Sequence, residues 1–415
     1  LATLDELGFR CDGRFLALNS YENRVYQIGI EDGPPVVTKF YRPGRWSDDA
    51  ILEEHAFAAD LAAQDIPVVP PLEHKETTLH HAGHHRVAVY PCYGGRSPEL
   101  DDFELQKQLG RLVARIHLEG EVERFRHRPG IDIDSYGTES IDFLLNNDFI
   151  PADNWDAYER IAELVLDGVE ACYERAGDAR EIRLHGDFHP GNVLVRGEQL
   201  HIVDLDDCRH GPAVQDLWMF LSGDRDEQTP QLEALLEGYT AFRPFDAREL
   251  HLVEALRSLR IMHYSAWLAR RWSDPAFKIA FPWFDSRRYW DEHILALREQ
   301  VALMQEPPLV SALKRDGVIE LQGKRHVTVL GETADWLPYD LPAEVLPYRG
   351  RYRGQTQKWV LVRLDAGDEI LLGDGVFTGD GNRDVDFLGK AVTVRSLSGD
   401  PALCTMDCQG DEVDQ

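Results

Sequence analysis

The sequence predicts an α+β chain of two lobes, one β-rich and one helical, with a second β-rich module appended. Three observations point there. Alternating apolar runs fill the first ninety or so residues, apolar positions three and four apart dominate the middle, and alternation returns after Pro307-Pro308. The expected divisions are 1–93 for the β-rich lobe, 94–308 for the helical lobe and 309–415 for the appended module.

In the first lobe, Phe15 to Leu18, Arg24 to Ile30 and Pro35 to Tyr41 read as strands, with a turn at Glu31-Asp32-Gly33. Ser47-Asp48-Asp49 caps a helix through Ile51, Leu52, His55, Phe57 and Leu61 that stops before Pro67, Pro70 and Pro71. A hairpin from Lys75 to Pro91 turns near Ala82-Gly83. In the second lobe, Phe103 to His117 and Trp155 to Tyr173 have helical spacing. A hairpin interrupts them: Val193 to Val195, the turn Arg196-Gly197-Glu198-Gln199, then Leu200 to Val203. Helices over Gln215 to Leu221, Leu232 to Tyr239 and roughly Ala247 to Trp272 follow. In the appended module Val318 to Val329, Lys358 to Leu364, Glu369 to Leu372 and Ala391 to Leu397 alternate like strands. No internal repeat is present.

The 415 residues are 43% hydrophobic and 28% charged, as in an ordinary globular protein. A formal net charge of -29 excludes wide contact with nucleic acid and disfavours anionic membranes. No apolar run has the length of a membrane span, and Asp5 and Glu6 break any leader-like stretch at the start. Cys11, Cys92, Cys172, Cys208, Cys404 and Cys408 are scattered, which fits reduced thiols. A cytoplasmic monomer is the expectation.

The most informative stretch is Leu184-His185-Gly186-Asp187-Phe188-His189-Pro190-Gly191-Asn192, followed after the hairpin by Val203-Asp204-Leu205-Asp206-Asp207. Pairing the strands brings Asn192 and Asp204 to one end of the hairpin, with Asp187 close by on the preceding loop. Asn192 and Asp204 supply hard oxygens of the kind magnesium prefers, and Asp187 can accept a proton. That combination suits phosphoryl transfer, where a protein mainly positions groups and neutralises charge. The nucleotide side follows from the first lobe. Lys39, on an alternating strand, can neutralise the α- and β-phosphates of ATP. Glu54 is the expected partner of Lys39, with Glu53 the alternative that spacing cannot separate. The loop from Asn19 to Arg24 has no Gly-x-Gly-x-x-Gly pattern, so Ser20 and Asn23 are its candidate nucleotide contacts, together with backbone N–H groups. Tyr90 to Gly95, including Cys92, reads as a hinge whose backbone can meet adenine.

Other residues have blander readings beside the functional ones. His185 and His189 are expected to orient the loop. Asp206 and Asp207 are either contacts in the site or a solvated acidic turn. Asp216 braces the catalytic loop or caps a helix. His80, His81, His84 and His85 flank a turn without a nearby carboxylate or thiol, so a solvated turn outweighs a metal site. Tyr264, Trp267, Trp272, Trp283 and Phe284 are core, with some of them candidates for lining an acceptor cleft.

Together these residues resemble the aminoglycoside phosphotransferase and choline kinase branch of the protein-kinase-like fold. The pattern is His-Gly-Asp, His, Gly-Asn and a strand ending in Asp, and His185 to Asp204 matches it. Within that branch, several stretches resemble the bacterial stress response kinases: Asn19 to Gln27, Lys39 to Pro43, Arg45-Trp46 and Ile51 to His55. Asp204 to Asp207, Gly211 to Trp218, His263 to Trp272 and Phe281 to Phe284 extend that likeness. The resemblance covers about residues 1–300 and leaves out the appended module. It implies a bilobal, protein-kinase-like fold and an ATP- and Mg-dependent serine/threonine protein kinase acting in stress. Asp187 is then the proton acceptor, Asn192 and Asp204 the magnesium ligands, and Ser20 an ATP-site residue. The implied partners are proteins bearing Ser/Thr hydroxyls, with autophosphorylation among the outcomes. Two rival functions use the same residues: a kinase of amino alcohols, sugars or aminoglycosides, for which Asp206 and Asp207 suit a cationic acceptor, and a silent nucleotide-binding module.

Overall fold

The computed structural model describes residues 1–309, except 19 and 198, and a set of strands beyond them. They fall into two compact units, Leu1–Ser311 and Ala312–Gln415. The first unit opens with a short helix, α1 (Ala2–Leu7), whose Leu4 and Leu7 pack with Ile28, Val36 and Val89 of the sheet that follows. That sheet has five antiparallel strands in the order β1-β2-β3-β5-β4. They are β1 (Cys11–Ala17), β2 (Arg24–Ile30), β3 (Val36–Phe40), β4 (His80–Ala82) and β5 (His85–Pro91). In β3, Lys39 lies opposite Val25 and Ala88. Its neighbours on that face of the pleat are therefore small or β-branched, which leaves room for a long side chain to run across it.

Helix α2 (Asp48–Ala63) starts where Ser47 accepts a hydrogen bond from the Ala50 N–H at 3.1 Å, with Asp48 and Asp49 in the favourable first turn. It ends before Pro67, and Asp65 takes a left-handed conformation just beyond it. Ile51 packs with Tyr41, Leu79 and Ala88 of the first lobe, while Phe57, Ala58 and Leu61 join the core of the helical lobe. This one helix therefore belongs to both lobes. Its buried face explains how Glu54 and His55 come to sit inside.

The helical lobe contains α3 (Phe103–Gly120), α4 (Glu139–Asn146), α5 (Ala152–Ala176), then β6 (Ile182–Leu184), β7 (Val193–Arg196), β8 (Gln199–Ile202) and β9 (Arg209–Gly211). After these come α6 (Gln215–Trp218), α7 (Arg225–Thr240), α8 (Val253–Arg270), α9 (Pro275–Ala280) and α10 (Arg287–Leu303). Helices α3 and α7 cross at two glycines. A Cβ on Gly110 would strike the Leu235 carbonyl, and one on Gly238 the Lys107 carbonyl, so the backbones touch there. Helices α5, α8 and α10 share a second core that includes Val165, Leu259, Trp290 and Leu297. The β7–β8 hairpin is fixed on both edges: Val69 N–H bonds Ile202 O at 2.9 Å, and Arg96 N–H bonds Val195 O at 3.0 Å. Val69 lies between α2 and β4 of the first lobe, and Arg96 in the segment from β5 to α3 that joins the lobes.

Several expectations shift at their edges. β1 begins at Cys11, four residues before Phe15, and a register break between those residues hides the alternation. The helix expected from Gln215 is a single turn, and Ala247–Leu252 forms a 3-10 segment ahead of α8. α1, α4, α9 and α10, and the short strands β6 and β9, were not expected. α10 does carry Trp290, His293, Ile294 and Leu297 on one buried face, but the histidine dilutes the apolar pattern. Glu198 of the expected turn and Asn19 of the expected loop lie outside the described residues.

In the second unit, Ile319–Gln322, Glu369–Leu372 and Thr393–Ser396 form a three-stranded sheet. Three strand pairs accompany it: Thr328–Glu332 with Val360–Arg363, Leu337–Asp340 with Gly354–Gln357, and Gly375–Thr378 with Cys404–Asp407. Of the expected strand Val318 to Val329, Ile319–Gln322 and the start of Thr328–Glu332 are strands, and 318 and 323–327 lie outside the described residues, as do the ends of those expected over 358–364 and 391–397.

Candidate active site

The loop before β7 is held from beneath by one buried carboxylate. Asp216, wholly inside, accepts hydrogen bonds from the His185 N–H at 2.8 Å and the Gly186 N–H at 2.9 Å. His117 reaches the same carboxylate through Nε2 at 3.2 Å, and its Nδ1 lies 2.9 Å from the Tyr239 hydroxyl. Asp216 therefore braces the loop as well as beginning a helical turn. Gly186 has φ of +82° and a Cβ there would strike the Asp207 carbonyl, so the turn into Asp187 needs glycine. His185 orients the loop from the other side, its Nε2 lying 3.0 Å from Val203 O.

Asp187 follows, with its side chain one-quarter exposed. His189 Nδ1 accepts from the Gly191 N–H, which leaves the proton on Nε2, 3.5 Å from Asp187 Oδ2. On the other oxygen, Arg260 Nη1 stands 2.5 Å from Oδ1, off the line of a hydrogen bond. Burial works to raise the Asp187 pKa, but the His189 contact and the Arg260 charge outweigh it and hold it below the ordinary carboxylate range. Asp187 is therefore ionised.

The strand pairing places Asn192 beside Asp204, since the Val203 N–H bonds the Asn192 carbonyl at 3.0 Å. The Asn192 amide nitrogen donates to Asp187 O at 2.9 Å, which fixes its side-chain oxygen in the opposite direction. Asp204 has φ of +62°, a left-handed conformation costly for a residue with a side chain, and its carboxylate is half exposed. A hard divalent cation fits this donor set: one oriented amide oxygen and one exposed carboxylate, both accepting oxygens.

Lys39 comes to the same place from the first lobe. Its Nζ lies 3.4 Å from Glu54 Oε1, 3.0 Å from Asp204 Oδ1 and 3.0 Å from Asp206 Oδ1. Burial favours loss of its proton, yet the charges of Asp204, Asp206 and Glu54 prevail and raise its pKa well above the usual value. Glu54, and not Glu53, is the partner of Lys39. Glu53 instead accepts from the N–H groups of Arg126 and His127 at 2.6 and 2.9 Å. Glu54 also takes Arg128 Nη2 at 3.1 Å, and burial lifts its pKa while Lys39 pulls it down.

Asp206 and Asp207 are not a solvated turn. Arg45 ion-pairs with both, at 2.6 Å to Asp207 Oδ1, and Arg209 reaches Asp207 at 3.3 Å. Burial raises the Asp207 pKa, but the charges of Arg45 and Arg209 more than reverse it. Arg45, Arg128 and Arg209 all lie over the Trp46 ring, at 5.5, 4.6 and 5.3 Å from its centre. Lys39 and three arginines thus face Glu54, Asp204, Asp206 and Asp207, a balanced cluster that tolerates burial only because every member is paired.

The remaining candidates lie around this cluster. Ser20 is half-buried in the β1–β2 loop. Asn23 is buried at the base of that loop and its Oδ1 accepts from the Arg42 N–H at 3.1 Å. Tyr90 is paired within β5, its hydroxyl 3.1 Å from that of Tyr41, and Cys92 stands just past the strand, its thiol pKa raised by burial. The loop tip closes onto the helical lobe. Glu22 accepts from Trp267 Nε1 at 2.6 Å and from Arg271 at 2.6 and 3.0 Å, and the Tyr21 ring lies 4.7 Å from that of Phe281. His80, expected in a solvated turn, is buried, and His81 pairs with Asp48 at 3.0 Å. Trp272 and Phe284 pack in the α5–α8–α10 core, whereas Tyr264 and Trp283 are exposed. Sequence reasoning missed Glu22, Arg45, Arg128, Arg209 and Arg260. Arg45, Glu22 and Arg128 meet partners 161, 249 and 74 residues away, and no local pattern signals such pairs.

Comparison with known proteins agrees with this geometry. Residues 14–253 match the model of the phosphotransferase enzyme family. A protein named stress response kinase A from Escherichia coli K12 is 44% identical over 307 residues, covering 74% of this chain and 92% of that protein. A serine/threonine protein kinase named RdoA from Salmonella typhimurium is 43% identical over the same shares. Among solved structures, an amicoumacin kinase bound to AMP-PNP and Ca2+ superposes with a TM-score of 0.58 at 18% identity, over 74% of this chain and 94% of its own. A microcompartment-associated aminopropanol kinase gives 0.55 at 18% identity, over 73% and 95%. These structures share the kinase-like fold, with an antiparallel N-terminal sheet and a helical second lobe. By its family model and by relatives at this identity over nearly their whole length, the chain belongs to the phosphotransferase enzyme family.

Proposed function

We propose that the chain is an ATP- and Mg-dependent serine/threonine protein kinase of the bacterial stress response. The observation that carries the choice of acceptor is the neutralisation of Asp206 and Asp207 by Lys39, Arg45 and Arg209. A kinase of cationic amines needs free carboxylates for the amine. Here the two acidic residues best placed to serve are already paired, and Asp187 itself is faced by Arg260. The relative named as a serine/threonine protein kinase supports the same reading.

In this mechanism Lys39, held by Glu54, meets the α- and β-phosphates of ATP, and the β1–β2 loop with Ser20 covers them. Asn192 and Asp204 would hold magnesium, which draws off negative charge from the phosphate oxygens when bound. Asp187 orients the acceptor hydroxyl. The hydroxyl oxygen bonds to the γ-phosphorus as the bond from that phosphorus to ADP breaks, and the hydroxyl proton passes to Asp187. Transfer of the proton comes late, because the transition state is loose and its stabilisation is largely electrostatic. His189 and Arg260 hold Asp187 ionised in the resting site.

The test offers γ-labelled Mg-ATP with casein, myelin basic protein and a panel of small alcohols and amino alcohols. Label on protein is the expected result. Label on small molecules alone moves the assignment to metabolite or antibiotic kinases, and ATP binding without any transfer leaves a silent nucleotide-binding module.

A further inference from the structure

Arg260 is the unexpected group at the centre. It projects from α8, with Tyr264 and Trp267 one and two turns further along the same face. Among the described residues its ion-pair partner is Asp187 alone. The other arginines of the cleft are committed elsewhere: Arg45 to Asp206 and Asp207, Arg209 to Asp207, and Arg271 to Glu22. Arg260 is also the most accessible of them, with 43% of its side chain exposed against 15, 11 and 19% for those three.

This contact is costly to the mechanism as it stands. A base needs a free oxygen to receive the acceptor's hydrogen bond. Asp187 has His189 on one oxygen and Arg260 on the other. The His189 ring is fixed through Gly191, whereas the guanidinium is half in water on a flexible stem and its pair with Asp187 lacks hydrogen-bond alignment. A pair of that kind exchanges easily when a better anion is offered.

We propose that Arg260 is a specificity-determining residue that selects acceptors bearing an anionic group beside the reacting hydroxyl, such as serines flanked by acidic side chains. The acceptor's carboxylate takes the guanidinium, and Asp187 Oδ1 is released to the hydroxyl. The exposed rings of Tyr21 and Tyr264 lie close by and offer amphipathic surface to a peptide. The chain's large negative charge does not forbid this, because charges beyond about 8 Å are largely screened at physiological salt. The identification of a peptide rests on the protein kinase reading, whereas the selection of an anion does not.

The experiment compares wild type, Arg260→Gln and Arg260→Lys on matched acceptors. These are heptapeptides with one serine flanked by glutamates, glutamines or arginines, and the small alcohols glycerate and ethanolamine. Wild type is expected to favour the acidic peptide over the neutral one by about tenfold in kcat/KM, the size of one charge-assisted contact. Arg260→Gln should bring that ratio to within about twofold, by raising KM for the acidic peptide and raising kcat for the neutral one, and Arg260→Lys should restore part of it. The KM for ATP reports whether the site is intact in each variant. An equal ratio in wild type and Arg260→Gln, or no acidic preference in wild type, overturns the proposal. If only small alcohols accept phosphate, the protein kinase reading fails, and Arg260 is then judged by glycerate against ethanolamine. Transfer to none of them removes both.

Discussion

Glu22 latches the β1–β2 loop onto the helical lobe, and Glu22→Gln is the perturbation that tests it. The carboxylate is 12% exposed and accepts three hydrogen bonds, two from Arg271 and one from Trp267. Glutamine keeps the volume and can still accept from one donor, but Arg271, itself 19% exposed, loses its counter-charge. A hydrogen bond to a charged group is worth about 1.5–3 kcal/mol net, so the latch should weaken by about 2 kcal/mol. Wholly buried pairs lose more, and the partial exposure argues for the lower figure. Hydrogen exchange reads it locally. The Leu18 and Arg42 amides bond to Val25 O and Asn23 Oδ1 across the base of this loop. Both should exchange roughly thirtyfold faster in Glu22→Gln. A cycle with Arg271→Met should return a coupling near 2 kcal/mol, and the KM for ATP should rise severalfold because Ser20 and Asn23 ride on the loop. Exchange within threefold of wild type, with additive single variants, would refute the latch.

Three further outcomes follow from the geometry. Asp216→Asn puts an amide N–H against donors from His185, Gly186 or His117, and should cost about 3 kcal/mol while lowering kcat far more than ATP affinity. Unaltered kcat in the folded variant would remove Asp216 as the brace. Gly186→Ala forces a Cβ into the Asp207 carbonyl at a positive φ and should abolish transfer with loss of at least about 2 kcal/mol of stability. Near-normal turnover would show that the loop relaxes. Acid should destabilise the first unit through its buried histidines. Burial lowers the pKa of both His263 and His293 from 6.5 to about 4. Their neutral forms therefore contribute stability above pH 6.5 that is lost as pH falls towards 4, about 3 kcal/mol apiece. His293→Phe should flatten part of that decline in melting temperature, and an identical slope would clear His293.

Much of the centre was legible because its chemistry is local. Asp187, Asn192 and Asp204 lie within one hairpin, where strand alternation and a short turn dictate who meets whom. The α2 cap at Ser47 and the strand carrying Lys39 follow equally from neighbours in sequence. Glu54 against Glu53 was not decidable, because adjacent helix positions differ only in which face is buried. That choice is made by Ile51 and Phe57, which are buried about one turn before and after Glu54 on the same face of α2, while Glu53 lies off that face. The arginine cluster was invisible for a different reason. Arginine suits a solvated surface in any local reading, and it becomes buried here only because Trp46 offers a ring and distant carboxylates offer charge. His80 was misjudged because the strand pairing, and not the turn, sets its direction.

The most direct measurement is γ-phosphate transfer from saturating Mg-ATP by Asp187→Asn beside wild type. The account predicts a fall of roughly 10² to 10⁴, the ordinary share of a positioned general base, with ATP affinity kept. Transfer within threefold of wild type would contradict it, and the hairpin would then bind nucleotide without supplying the base.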